Sequence, residues 1–156
     1  MNKDTLALIG FVVACLAVGG VSGWFTAAGV GEWYDGLVKP SFQPPKWLFG
    51  PVWTVLYILM AVAAWLIWKQ IGFWNTAMGL FGLQLALNFA WSFLFFSAQR
   101  MGFALVDIVA LWLALVATVV TFAPVDPRAA WLLAPYIAWV SFATLLNTAI
   151  WRLNPA

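Results

Sequence analysis

Between Lys69 and Arg100 the chain reads QIGFWNTAMGLFGLQLALNFAWSFLFFSAQ, residues 70–99, thirty positions without a charged side chain. A helix rising about 1.5 Å per residue needs roughly 20 apolar residues to cross about 30 Å of hydrocarbon, so this stretch alone is long enough to span a membrane. Working outward, the same reading recurs. Uncharged runs of 27, 22 and 23 residues separate Asp4 from Glu32, Lys46 from Lys69, and Arg128 from Arg152. The 25 residues between Arg100 and Asp126 contain only Asp107. Lipid satisfies no backbone groups and the runs lack barrel alternation, so the fold class is all-α. The expected architecture is a compact bundle of five transmembrane helices near 5–26, 48–68, 76–97, 103–123 and 129–151, one domain over 1–156.

Composition agrees. Of 156 residues, 65% are hydrophobic and 8% charged, against roughly 45–50% and about 25% in soluble domains. Twelve charges cannot cover a soluble surface. The net charge of +2 is too small for a nucleic-acid footprint. There is no histidine, which removes the usual general base, zinc ligand and haem axial ligand. Cys15 is alone, so neither a disulfide nor a paired-thiol motif forms within the chain. No metal site and no required cofactor are expected. Twelve tryptophans, in contrast, implicate indole rings in whatever the protein does.

The first run is longer than a signal-peptide core and is read as a membrane helix. With five spans, Lys39, Lys46, Arg100 and Arg152 share one side and Lys3, Lys69 and Arg128 the other. The positive-inside tendency then leans the first group, with the C-terminus, to the cytoplasm of a bacterial cell. Short connections predict antiparallel sequential neighbours, with Gly72, Gly102, Pro124 and Pro127 in the turns. The odd helix count argues against an inverted two-fold repeat.

One connection is long. Residues 29–48 hold Glu32, Asp35, Lys39 and Lys46 together with Pro40, Pro44 and Pro45, and Pro51 follows closely. Each proline removes a donor and restrains its predecessor, so 40–45 cannot be regular helix. Its aromatics Trp33, Tyr34 and Trp47 fit either a lid over a cavity or an interfacial belt. In the third span Gln84, Asn88 and Ser92 recur at i, i+4, i+8 with Trp91 on the same side; such polar groups either line a pocket or tie helices together. Gly82, Ala86 and Ala90 form a small-residue row on another face, suited to packing within the chain or to a homodimer seam. Asp107 is the one ionisable group well inside a span, a functional candidate or a structural tether. Trp139, Ala143 and Asn147 form a stripe in the last span that suits a cavity wall or helix packing.

Several segments match a known pattern. Trp33-Tyr34-Asp35-Gly36-Leu37-Val38-Lys39-Pro40-Ser41-Phe42-Gln43-Pro44-Pro45, then Pro51-Val52-Trp53-Thr54-Val55-Leu56-Tyr57, resemble the first-loop signature of the tryptophan-rich sensory protein (translocator protein, or peripheral benzodiazepine receptor) family. Gln84-Leu85-Ala86-Leu87-Asn88-Phe89-Ala90-Trp91, Ala104-Leu105-Val106-Asp107, and Pro135 through Trp139 on to Asn147 extend the resemblance along the whole chain. The resemblance implies a dimeric five-helix bundle with a cavity towards the first loop. It implies binding of porphyrins such as protoporphyrin IX and similar apolar ligands. The pocket positions then fall on Trp53 and Trp139, with Asn88, Phe103, Ala143 and the loop aromatics Trp33, Tyr34, Phe42 and Trp47 around them. Light-dependent porphyrin breakdown, also implied for bacterial members, would fall on Trp53 and Trp139. The mammalian cholesterol motif has tyrosine where this chain has Thr148, which puts steroid handling in doubt. Three functions compete: a ligand-binding sensor or regulator, which the residues favour; a transporter of porphyrin or sterol; and a porphyrin-degrading enzyme, for which no acid–base pair or metal site exists.

Overall fold

A computed structural model describes residues 1–155, which form helices and no strand among the described residues. Helix α1 (Lys3–Gly29) starts where the Asn2 side chain accepts the Thr5 N–H at 2.8 Å. A short helix α2 (Glu32–Gly36), not expected from the sequence, lies in the long loop ahead of the irregular stretch 40–45. Then come α3 (Lys46–Ile71), α4 (Thr76–Ser92) running into a π-helical turn at Phe93–Ser97, and α5 (Met101–Phe122). The last span is two pieces, α6 (Pro127–Leu132) and α7 (Ala134–Leu153). Counting α6 and α7 as one crossing, five helices are long and apolar enough to cross a membrane.

Two prolines interrupt the helical hydrogen bonding. Pro51 sits in the second turn of α3, outside the long loop, at the cost of one ladder hydrogen bond to the Trp47 carbonyl. Pro135 explains the break at Leu133: it lacks the N–H for the Trp131 carbonyl, and the Leu133 N–H closes a tighter turn onto Ala130 at 3.1 Å. Gly72 caps α3 at φ 76°, a region glycine takes without strain. Gly102 is not in a turn. It lies in the first turn of α5, where an added Cβ would touch the Trp151 indole at 3.4 Å.

The helices do not follow chain order around the bundle. α1 packs against both α3 and α4, which touch each other far less; α4 packs on α5, α5 on α7, and α6 on α3. Glycines make α1 the wedge. A Cβ at Gly19 would stand 2.6 Å from the Tyr57 ring, and one at Gly29 would collide with the Phe96 carbonyl. α3 closes on α6 at one end of the bundle but stands off from α7 at the loop end. That separation opens the interior.

Candidate functional site

The opening is a cavity of about 520 Å³ between α1, α3, α4, α7 and the long loop. Along α1 its lining runs from Leu16 to Val30, about 21 Å at roughly 1.5 Å per residue. The size lies within the range of small-molecule pockets, about 300–1,000 Å³. Trp53 and Trp139 form one corner, their rings edge to face at 6.4 Å and 90°. Phe49 and Phe142 extend the Trp139 side at 5.7 and 5.6 Å, and Tyr57 extends the Trp53 side at 5.8 Å. Perpendicular rings in edge contact leave no slot between them, so a planar ligand stacks on one side of this corner rather than between the two indoles. The Trp139 Nε1 is buried without a hydrogen-bond partner.

Beneath the aromatic wall runs a chain of buried polar groups. The Tyr57 hydroxyl donates to Asn88 Oδ1 at 2.6 Å, and Asn88 Nδ2 donates to the Tyr136 hydroxyl at 2.6 Å. The Tyr136 hydroxyl donates to Gln84 Oε1 at 2.8 Å, and Gln84 Nε2 makes a weak bond to Met60 Sδ at 3.8 Å. This chain ties α3, α4 and α7 together where lipid offers no partners, so Gln84 and Asn88 serve as ties between helices. Nearer the loop, Trp91 Nε1 donates to Asn147 Oδ1 at 3.0 Å, and Asn147 Nδ2 donates to the Met101 carbonyl at 3.1 Å.

The loop covers the cavity's outer end. Tyr34 is buried in its wall and held by Gln43 Nε2, which donates to the Tyr34 hydroxyl at 2.7 Å. Lys46 lines the rim and pairs with Asp35, whose carboxyl it holds below the usual carboxylate range. Of the cations on this side, Lys39, Arg100 and Arg152 are not in the cavity wall: Lys39 lies over the Tyr34 ring at 4.7 Å, and Arg100 lies over Phe103 at 5.6 Å.

Of the residues singled out from the sequence, Tyr34, Trp53, Trp91, Ser92, Trp139, Ala143 and Asn147 meet in the cavity wall. The others lie elsewhere. Asn88 stands one layer behind Tyr57. Trp33 packs edge-on against Phe95 at 6.0 Å, beside a smaller cavity, and Phe42 against Phe142 at 6.2 Å. Trp47 and Phe103 are 71% and 61% exposed and point outward, as an interfacial belt residue and a lipid-facing one do. Asp107 is half-buried outside the cavity wall, with Oδ2 buried and unpartnered. Sequence reasoning missed the contribution of α1, including Gly19, Ser22, Gly23 and Thr26, as well as Tyr57 and Phe95. The glycine-rich run Gly19-Gly20-Val21-Ser22-Gly23 was the signal for it. Among the described residues no group of histidine, cysteine or carboxylate side chains is arranged to hold a metal ion.

Residues 11–152 match the model of the TspO/MBR family. The chain belongs to the TspO/MBR family. A tryptophan-rich protein TspO from Chlorobaculum tepidum is 46% identical over 159 residues, covering 99% of this chain and 100% of that one. The translocator protein of Homo sapiens is 48% identical over 127 residues, covering 79% and 75%. A tryptophan-rich sensory protein from Cereibacter sphaeroides is 37% identical over 154 residues, covering 99% and 95%. TspO/MBR membership and the five apolar spans make this an integral, multi-pass membrane protein, and the family's names point to a sensory or regulatory role in the membrane.

Proposed function

We propose that the protein senses porphyrins of the protoporphyrin IX type, and similar apolar molecules, by binding them in the cavity under the long loop. The observation that carries this is the 520 Å³ aromatic cavity spanning half the bundle, capped by a loop with a lysine at its rim. A planar macrocycle gains stacking on Trp53 or Trp139, about 0.5–1.5 kcal/mol per aromatic pair beyond area burial. Lys46 supplies a cation for a ring carboxylate. On this reading the loop end, with the C-terminus, faces the cytoplasm.

Two copies associate through the exposed side of α4, where Gly82 and Ala86 present small surfaces with nothing of their own chain against the Gly82 position. Titration of detergent-solubilised protein with protoporphyrin IX should quench tryptophan fluorescence saturably. Trp139→Ala should weaken binding several-fold. Unchanged affinity in that variant would place the ligand away from this corner.

A further inference from the structure

The hydrogen bonds of the loop over the cavity are largely internal to it. Tyr34 and Gln43 bond to each other, Lys39 bonds to the Asp35 and Leu37 carbonyls, and the turns at 34–37 and 40–43 close on themselves. Lys46, the first residue of α3, pairs with Asp35. None of these bonds holds the loop to the opposite wall. Among the described residues one side chain does. Asn154 Oδ1 accepts the Val38 N–H at 2.8 Å, and Asn154 Nδ2 donates to the Val38 carbonyl at 2.9 Å. A single amide thus satisfies both backbone groups of one loop residue, as a neighbouring strand would.

We propose that Asn154 is the clasp that holds the long loop closed over the cavity. It is a positioning residue, acting on the ligand site through the loop. Its own placement is fixed: it caps α7, with its N–H on the Ile150 carbonyl at 3.1 Å and Nδ2 also within 2.8 Å of that oxygen. Ile150 and Asn147 line the cavity one and two turns back along the same helix, so clasp and wall are one rigid element. On the loop side, Val38 itself is 56% exposed and contributes little packing. Its neighbour Leu37 packs against the small cluster of Tyr34, Phe95, Ala104, Leu146 and Ile150. Releasing Val38 therefore loosens the stretch that carries Leu37 and leads back to Tyr34, the loop residue in the cavity wall. The rest of the loop is held by packing alone, Tyr34 against Phe95 and Phe96 and Phe42 against Phe142, so this pair of bonds is its one polar tie to α7.

The chemistry sets the variants. Asn154→Leu keeps the side-chain volume and removes both bonds. Asn154→Asp keeps the acceptor for the Val38 N–H and loses the donor to the Val38 carbonyl. Hydrogen exchange on ligand-free protein in detergent reads the clasp directly. Exchange of the Val38 amide should speed up about tenfold in Asn154→Leu and less in Asn154→Asp, with the amides of α3 and α5 unchanged. Parent-like exchange at Val38 in Asn154→Leu overturns the proposal.

The second measurement rests on the porphyrin reading of the cavity. Protoporphyrin IX should dissociate several-fold faster from Asn154→Leu, with association also faster, so that the rates change more than the affinity. If Val38 is released and both rates stay at the parent's, the clasp does not govern entry and the proposal is overturned. If the parent itself fails to bind protoporphyrin IX, the reading of the ligand falls, while exchange at Val38 still decides the clasp.

Discussion

Removing one hydroxyl tests the buried chain that supports the cavity. The Tyr136 side chain is fully buried, and its hydroxyl takes part in two bonds, accepting from Asn88 Nδ2 and donating to Gln84 Oε1. Tyr136→Phe keeps the ring and removes both. Asn88 retains the Tyr57 hydroxyl on its oxygen, but Gln84 is left with only the weak contact to Met60 Sδ. In water-soluble cores a buried polar group stripped of its partner costs about 1–3 kcal/mol. In membranes the unfolded reference state also finds partners, and measured bonds run at about 0.6–1.7 kcal/mol. Two such bonds give a loss of roughly 1–3 kcal/mol. Tyr57→Phe, which removes a single bond to Asn88, should cost about half as much. The double variant should fall short of the sum, because both bonds meet at Asn88. Equilibrium unfolding in mixed micelles of rising sodium dodecyl sulfate, followed by far-ultraviolet circular dichroism, reads all three. A Tyr136→Phe protein within about 0.3 kcal/mol of the parent would refute the claim that this chain ties α3, α4 and α7 together.

Gly19→Ala places a Cβ 2.6 Å from a Tyr57 ring whose hydroxyl is pinned by Asn88, so it should destabilise by about 1–3 kcal/mol and weaken porphyrin binding. Gly20→Ala, with nothing within 4 Å, should be neutral or stabilising in the same unfolding assay; equal losses for the two would show that α1 is not seated on Tyr57. Ala86→Leu adds bulk to the exposed side of α4 and should lower the crosslinked dimer fraction in bilayers, and a parent-like fraction would exclude this seam. Because Trp53 and Trp139 share one corner of the cavity, illuminated protein-bound protoporphyrin IX should bleach faster than free porphyrin in the same detergent. Replacing both indoles with phenylalanine should slow bleaching towards the free-ligand rate at matched occupancy; equal rates would leave a binding protein without photochemistry.

The number of spans, their lengths within a few residues and the irregular course of 40–45 follow from the sequence alone. Each rests on a local cost: a charge placed in hydrocarbon, a backbone group without a partner, a proline without an N–H. The same reasoning required Gln84, Asn88 and Ser92 to face protein, and all three are buried. Local rules also put Trp139, Ala143 and Asn147 on one stripe, and that stripe is a wall of the cavity. Only the tertiary structure decided which stripes meet. In a soluble helix the polar side marks the outside; here lipid and core are both apolar, so the pattern along a helix fixes its faces but not their rotation towards a neighbour. That is why Phe103, which the family resemblance put beside the pocket, turns outward, while Tyr57, quoted in the signature but given no role there, forms part of the cavity wall. It is also why α1 went unread. Its part in the site comes from glycines, which contribute space rather than side chains, and space becomes visible only when the Tyr57 ring and the Phe96 backbone are seen to fill it.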